Sequence, residues 1–231
     1  MGNTMGESQF RKVLDGVGGA ALVGVHILLP FLHAWRVRWG ATDAEMGRAW
    51  LGDDLVQYPR GGFTHAITIH APVSRIYPWI AQIGRDKGGF YSYEFLENLV
   101  GCNIHNADHL LAESQVVKPG DVLWLHPQAG VPIELVETGR GFVMHGLLNT
   151  STGEPVPPNG ALPASFINVS WLFYVYAMEG DVSRFISRWR VDYPPGFRNE
   201  IMFGRWFLEP VANVMDFKML KGVRQRAESA R

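Results

Sequence analysis

Apolar and polar residues alternate from Thr64 to His70, with His65, Ile67 and Ile69 on one side of an extended chain and Ala66, Thr68 and His70 on the other. This predicts a strand. Ala71-Pro72 ends it, and Ile76, Trp79, Ile80 and Ile83 then recur at helical spacing despite Pro78. A second short helix follows from Ser92 to Val100, with Phe95, Leu96, Leu99 and Val100 read as its apolar face and Gly101 as its stop. The turn Pro119-Gly120-Asp121 opens a train of short candidate strands: Asp121 to His126, Ile133 to Glu137, Gly141 to Leu147, Ser170 to Met178 and Ser183 to Asp192. Strands this short, separated by turn signals, predict a curved antiparallel sheet. Asn149 to Ala164 carries four prolines without periodicity and reads as a long loop. Glu200 to Ala227 places Ile201, Phe203, Phe207, Val211, Val214, Met215, Met219, Leu220 and Val223 at steps of three and four. That predicts a long amphipathic terminal helix, kinked or entered at Pro210.

The first forty residues follow another pattern. Gly16 to Trp35 contains no formal charge, with Arg11, Lys12 and Asp15 before it and Arg36 and Arg38 after. Its length suits a bilayer span, diluted by glycines, His26, His33 and Pro30. The run predicts a single-pass membrane helix in residues 1–38, with a buried or interfacial helix docked on the soluble domain as the alternative, then a Gly-rich, charged linker over 39–63 and a domain over 64–231. The distribution of basic residues points to a cytoplasmic soluble domain. Gly16, Ala20 and Gly24, four apart, offer a face for self-association. The break in pattern also predicts that residues 1–38 are dispensable for folding.

Composition narrows the function classes. The chain has 231 residues and a net charge of −1, so no global field favours nucleic acid. The single Cys102 excludes an internal disulfide framework and any multi-thiolate metal site.

Candidate chemistry concentrates in GGFYSYEFLENLVGCNIHNAD, residues 88 to 108. Tyr91 and Tyr93 follow a flexible Gly88-Gly89 approach, and Glu97 lies one turn beyond Tyr93. These three are expected to face a shared cavity mouth, although the same rings serve equally to anchor the short helices to the sheet. His105, Asp108 and His109 match no strong metal-ligand spacing, and Asn106 and Asp108 are as well explained as loop and cap residues. No metal or catalytic residue is assigned. A Cys102–His105 nucleophile pair is the weaker alternative to a lone buried thiol. On the strand from Ser183 to Asp192, Arg184, Arg188 and Arg190 share one face. That face meets either solvent and cross-strand carboxylates or, if turned inward, an anionic head group at Arg188.

The runs WGAT (39–42), LGDDLV (51–56), AITIHAPVSRIYPWIAQIG (66–84), GGFYSYEFLENLVGCNIHNAD (88–108), PGD (119–121) and KMLKGVRQRAE (218–228) resemble a bacterial subfamily of the SRPBCC, or START-like, superfamily whose members carry an N-terminal hydrophobic helix. The resemblance covers about residues 39 to 228. It departs at Glu113-Ser114-Gln115, where an aromatic residue is expected before the glutamine. It implies an α+β helix-grip domain whose sheet wraps a long C-terminal helix around a hydrophobic cavity.

The expected function is a membrane-tethered module that binds a hydrophobic small molecule or lipid, with no cofactor. Tyr91, Tyr93, Glu97, His105, Asp108 and Arg188 are its expected ligand contacts. Two alternatives stand beside it. One is a cyclase-, dehydratase- or hydrolase-type enzyme that places two acid–base groups around the same cavity. The other is a scaffold without a ligand.

Overall fold

The computed structural model describes residues 4–157 and 160–229. Its centre is a six-stranded antiparallel sheet of β1 (Gly61–Ile69), β2 (Val122–His126), β3 (Ala129–Glu137), β4 (Gly141–Asn149), β5 (Phe166–Ala177) and β6 (Ser183–Asp192). Strands β2 to β6 form a meander and β1 lies beside β6, giving the order β1-β6-β5-β4-β3-β2. Register shifts at Trp124/His126 and Ile133/Leu135 interrupt the ladders at the β2 end, where bulges bend a sheet.

Helices α4 (Val73–Ala81), α5 (Glu94–Leu99) and α7 (Leu208–Ser229) cover the concave side, and α6 (Phe197–Phe203) precedes α7. The terminal helical pattern is thus two helices, broken at Gly204, where a Cβ would fall 2.6 Å from the Glu200 carbonyl oxygen. Met219, Leu220 and Val223 of α7 share one core with Ile76 and Ile80 of α4 and with Ile69, Phe173 and Phe185 of the sheet. A curved antiparallel sheet closed by a long C-terminal helix is the expected α+β architecture.

The convex side is also covered. Helix α3 (Asp43–Gly47) opens with a capping box, in which the Thr42 hydroxyl accepts from Glu45 N–H and the Glu45 carboxylate accepts from Thr42 N–H. Trp50 then packs on Tyr174 and Tyr176. The segment expected as a linker, 39–63, therefore lies along the sheet.

Helix α1 (Thr4–Leu28) and the short α2 (His33–Arg36) flank a 3-10 turn over Pro30–Leu32. Among the described residues no helix is long and apolar enough to cross a membrane. This overturns the expected single-pass location with a cytoplasmic domain. Two features account for it: glycines and histidines dilute the uncharged run, and α1 stops at Leu28.

Helix α1 docks on the domain instead. A Cβ at Gly16 would lie 2.6 Å from Phe95, and one at Gly19 2.9 Å from the Tyr93 ring, so both glycines permit a close approach to the α5 segment. Lys12 pairs with Glu94 at 2.6 Å, and Lys218 with Asp15 at 2.7 Å. Gly16 thus serves a contact within the chain, whereas Ala20 is exposed and Gly24 meets nothing within 4 Å.

The guanidinium of Arg36, 1% exposed, donates to Glu209 Oε1 from Nε at 3.1 Å and from Nη2 at 2.9 Å. It also donates to the carbonyls of His26 and Arg205. Just beyond, the carbonyls of Val37 and Trp39 accept from Thr64 N–H and Ala66 N–H along the outer edge of β1.

Candidate functional site

Space remains between the concave sheet and α7, in two adjoining parts. The inner chamber, about 150 Å³, is bordered by Glu97, Ile104 and Trp171, and by Met215, Asp216 and Met219 of α7. A larger apolar cavity of about 570 Å³ is bordered by Val131, Met144, Val169, Trp189, Leu208 and Ala212. Leu125 and Trp171 border both, so the two parts meet at these side chains. A third hollow, at the β1–β6 edge, contains Arg60, Arg188 and Arg190. Their guanidinium groups are engaged by Asp192, Asp53 and the Val56 carbonyl.

The inner chamber has two polar poles. On α7, Asp216 Oδ1 accepts from the Ser187 hydroxyl at 2.6 Å, and Ser187 Oγ accepts from Trp171 Nε1–H at 2.8 Å. Asp216 Oδ2 lies 2.5 Å from His65 Nδ1. His65 Nε2 faces two acceptors at 2.8 Å, the Arg36 carbonyl and Asn213 Oδ1, so Nε2 carries a hydrogen, and Nδ1 is hydrogen-bonded to the Asp216 carboxyl. This chain of bonds fixes the Trp171 ring that separates the two spaces.

At the other pole stands Glu97 of α5, 7% exposed, whose Oε2 has no hydrogen-bond partner among the described residues. Burial, and then the neighbouring Glu94, push its carboxyl up to about 8, so the group is neutral at pH 7. Burial pushes Glu94 in the same direction, but Lys12 and the Asn106 N–H outweigh it and hold that carboxyl below its ordinary range. Two carboxyls three residues apart thus differ in charge. Burial also raises the Cys102 thiol at the chamber wall.

The expected ligand contacts are not brought together. Only Glu97 borders the chamber. The Tyr91 hydroxyl donates to the Trp79 carbonyl, and its ring carries the Arg226 guanidinium 4.3 Å from the centroid. Tyr93 packs under α1 with Lys218 over its ring. His105 and Asp108 are exposed on the following loop, the former 3.6 Å from Glu94 and the latter remote from Glu97's chamber. Arg188 lies on the convex side, bonded to Asp53 at 2.7 Å, because the concave side of β6 belongs to Phe185, Ser187 and Trp189.

The apolar face expected for α5 is also turned. Leu99 and Val100 are exposed, Phe95 packs on Gly16, and Glu97 points inward. No group of His, Cys, Asp or Glu among the described residues is arranged to hold a metal ion.

The dense polar content of residues 88 to 108 has a structural explanation. Asn98 holds Ile104 through both its amide groups, accepting from the N–H at 2.6 Å and donating to the carbonyl at 2.8 Å. Asn106 Oδ1 accepts from Tyr91 N–H at 2.6 Å, in a backbone turn where Tyr91 has φ 55°. The segment braces its own bends and thereby places Glu97.

Asp216 and His65 lie outside the set of residues expected at the site from the sequence. A signal for them was present: Glu209, Asn213 and Asp216 fall four and three apart in the terminal helix, in register with Leu220, and His65 shares its strand face with Ile67 and Ile69. Polar groups repeated on a core-facing stripe mark a buried network.

No family model and no curated protein matches the chain. Solved structures similar to it include a conserved protein from Geobacillus kaustophilus, at 9% identity over 73% of this chain and 95% of that one, with a TM-score of 0.32. The KanY protein aligns at 10% identity over 74% and 99%, with a TM-score of 0.35. The Zhui aromatase/cyclase from Streptomyces sp. R1128 aligns at 13% identity over 73% and 93%, with a TM-score of 0.32. Similarity at this level says nothing of what the chain binds.

Proposed function

We propose that the chain is a binding module of the START-like, helix-grip kind, holding a hydrophobic small molecule or lipid between its curved sheet and α7. The observation that carries this reading is the apolar cavity of about 570 Å³ adjoining a smaller chamber with polar poles. Its size falls within the usual range for small-molecule sites, and an apolar body with a few placed polar groups is their usual composition.

The test uses the full chain. Native mass spectrometry should reveal a co-purifying apolar mass, and 2-ethylnaphthalene should bind to chain stripped of it. Ala212→Trp, which fills the large cavity from α7, should abolish that binding while the variant still melts cooperatively. Bare chain that also ignores the hydrocarbon overturns the reading.

One observation favours a second reading, acid–base catalysis in the same space. Glu97 and Asp216 both border the inner chamber, one neutral and the other backed by His65, which supplies the two groups such chemistry needs. Chemical change in a co-purified ligand, abolished in Glu97→Gln, distinguishes this reading from binding alone.

A further inference from the structure

The polar groups around the inner chamber are unequally engaged. Asp216 accepts from Ser187 through one oxygen and faces His65 with the other. The Ser92 hydroxyl donates to the Met215 carbonyl at 3.0 Å. Among the described residues that border the chamber, Glu97 is the one with a buried side-chain polar atom, Oε2, that has no partner, and much of the remaining wall is apolar: Phe90, Ile104, Leu125 and Met219. A buried polar group left unsatisfied is costly, and when it borders a cavity its partner is whatever occupies that cavity.

We propose that the inner chamber takes the carbonyl oxygen of an otherwise apolar ligand, hydrogen-bonded by the Glu97 carboxyl, with the apolar remainder passing Leu125 and Trp171 into the larger cavity. This rests on the reading of that cavity as a ligand site. The burial that keeps the Glu97 proton in place makes the group a donor. An ammonium group fits less well. It brings three donors to a chamber where the Asp216 oxygens are already engaged, and the charge loses its hydration on entering apolar walls. A carbonyl needs one donor, and one is present.

The probes are 2-acetylnaphthalene and its hydrocarbon counterpart 2-ethylnaphthalene, titrated into the full chain and followed by tryptophan fluorescence. At about pH 6 the ketone is expected to bind about tenfold more tightly, the scale of one net hydrogen bond. Glu97→Leu should still bind the hydrocarbon and should lose the preference for the ketone. Glu97→Gln retains an N–H donor and should keep it.

Raising the pH to about 9.5 should erase the preference in the wild type and leave it intact in Glu97→Gln. That comparison also serves if Glu97→Leu fails to fold, and it separates Glu97 from the other ionisable groups around it: Glu94 on α5, Arg85 and Cys102 at the adjoining turn, Lys12 and Asp15 of α1, and Asp216 with His65 across the chamber.

Equal affinity for ketone and hydrocarbon in the wild type overturns the proposal and leaves the apolar site standing. Failure of both probes to bind overturns the site as well. A preference that survives in Glu97→Leu, or tighter binding of 2-(aminomethyl)naphthalene than of the ketone, also overturns the proposal.

Discussion

A carboxyl on the buried side of α5 couples the stability of the fold to pH. Glu97 is raised to about 8 by burial and by Glu94, whereas an unfolded chain releases that proton near the ordinary 4.5. Between these values the folded state holds the proton and the unfolded state does not, so stability falls as pH rises through this window and levels off above it. Glu97→Gln has no proton to release. Relative to wild type it should gain stability from about pH 4.5 to about pH 8 and level off above, by a few kcal/mol in all, given about 1.4 kcal/mol per pKa unit. Urea unfolding across that range checks it, and parallel curves for the two proteins would remove the assignment. Gly222 is a second sensitive position. A Cβ there would fall 2.4 Å from the Tyr91 carbonyl oxygen, where α7 crosses the braced turn. Gly222→Ala should therefore cost about 1–3 kcal/mol by overpacking, despite alanine's better helix propensity, and a thermal melt measures it. The sequence shows the density of aromatic and amide groups in residues 88 to 108 but not their roles. Asn98 and Asn106 bond backbone atoms 6 and 15 positions away, and such returns of the chain have no local signature.

The elements before β1 differ most from expectation. An uncharged run bounded by Arg36 reads as a bilayer span with a flanking charge, because hydropathy counts residues and carries no information about partners. Arg36 finds Glu209 across 173 positions, and the buried pair joins α2 to the start of α7. Breaking a buried pair leaves a charge without compensation, so Arg36→Met should cost about 3–5 kcal/mol. Adding Glu209→Met should recover much of the loss, and a double-mutant cycle by chemical denaturation resolves the two. If Arg36→Met alone is neutral, the N-terminal segment is not part of the cooperative unit. Gly16 makes a related point. Its spacing with Ala20 and Gly24 reads as a contact face, and Gly16 does permit a close approach, to Phe95 of the same chain. Gly16→Val should loosen α1 and expose the Lys12 region to trypsin, with the sheet core still resistant.

Across the whole molecule, strand alternation and turn residues carry enough information to place β1 and the meander from β2 to β6, since each depends on neighbours a few positions away. The cavity depends on curvature and on which face of α5 turns inward. Leu99 outside and Glu97 inside invert the hydropathic order, and the docking of α1 on Phe95 is visible only once the chain has folded.

The sheet has two ends to its hydrogen-bond ladder, and at β1 the carbonyls of Val37 and Trp39 occupy the N–H groups of Thr64 and Ala66. These few bonds guard against polymerisation. A chain beginning after Trp39 would present a nine-residue strand with vacant donors to any other copy, and an uncovered edge is a template for strand addition. Such a truncation should form thioflavin-positive assemblies on mild warming, with a lag that shortens as protein concentration rises. The full chain, treated alike, should scatter no light. Monomeric behaviour of the truncation would mean that β1 protects itself by twist alone.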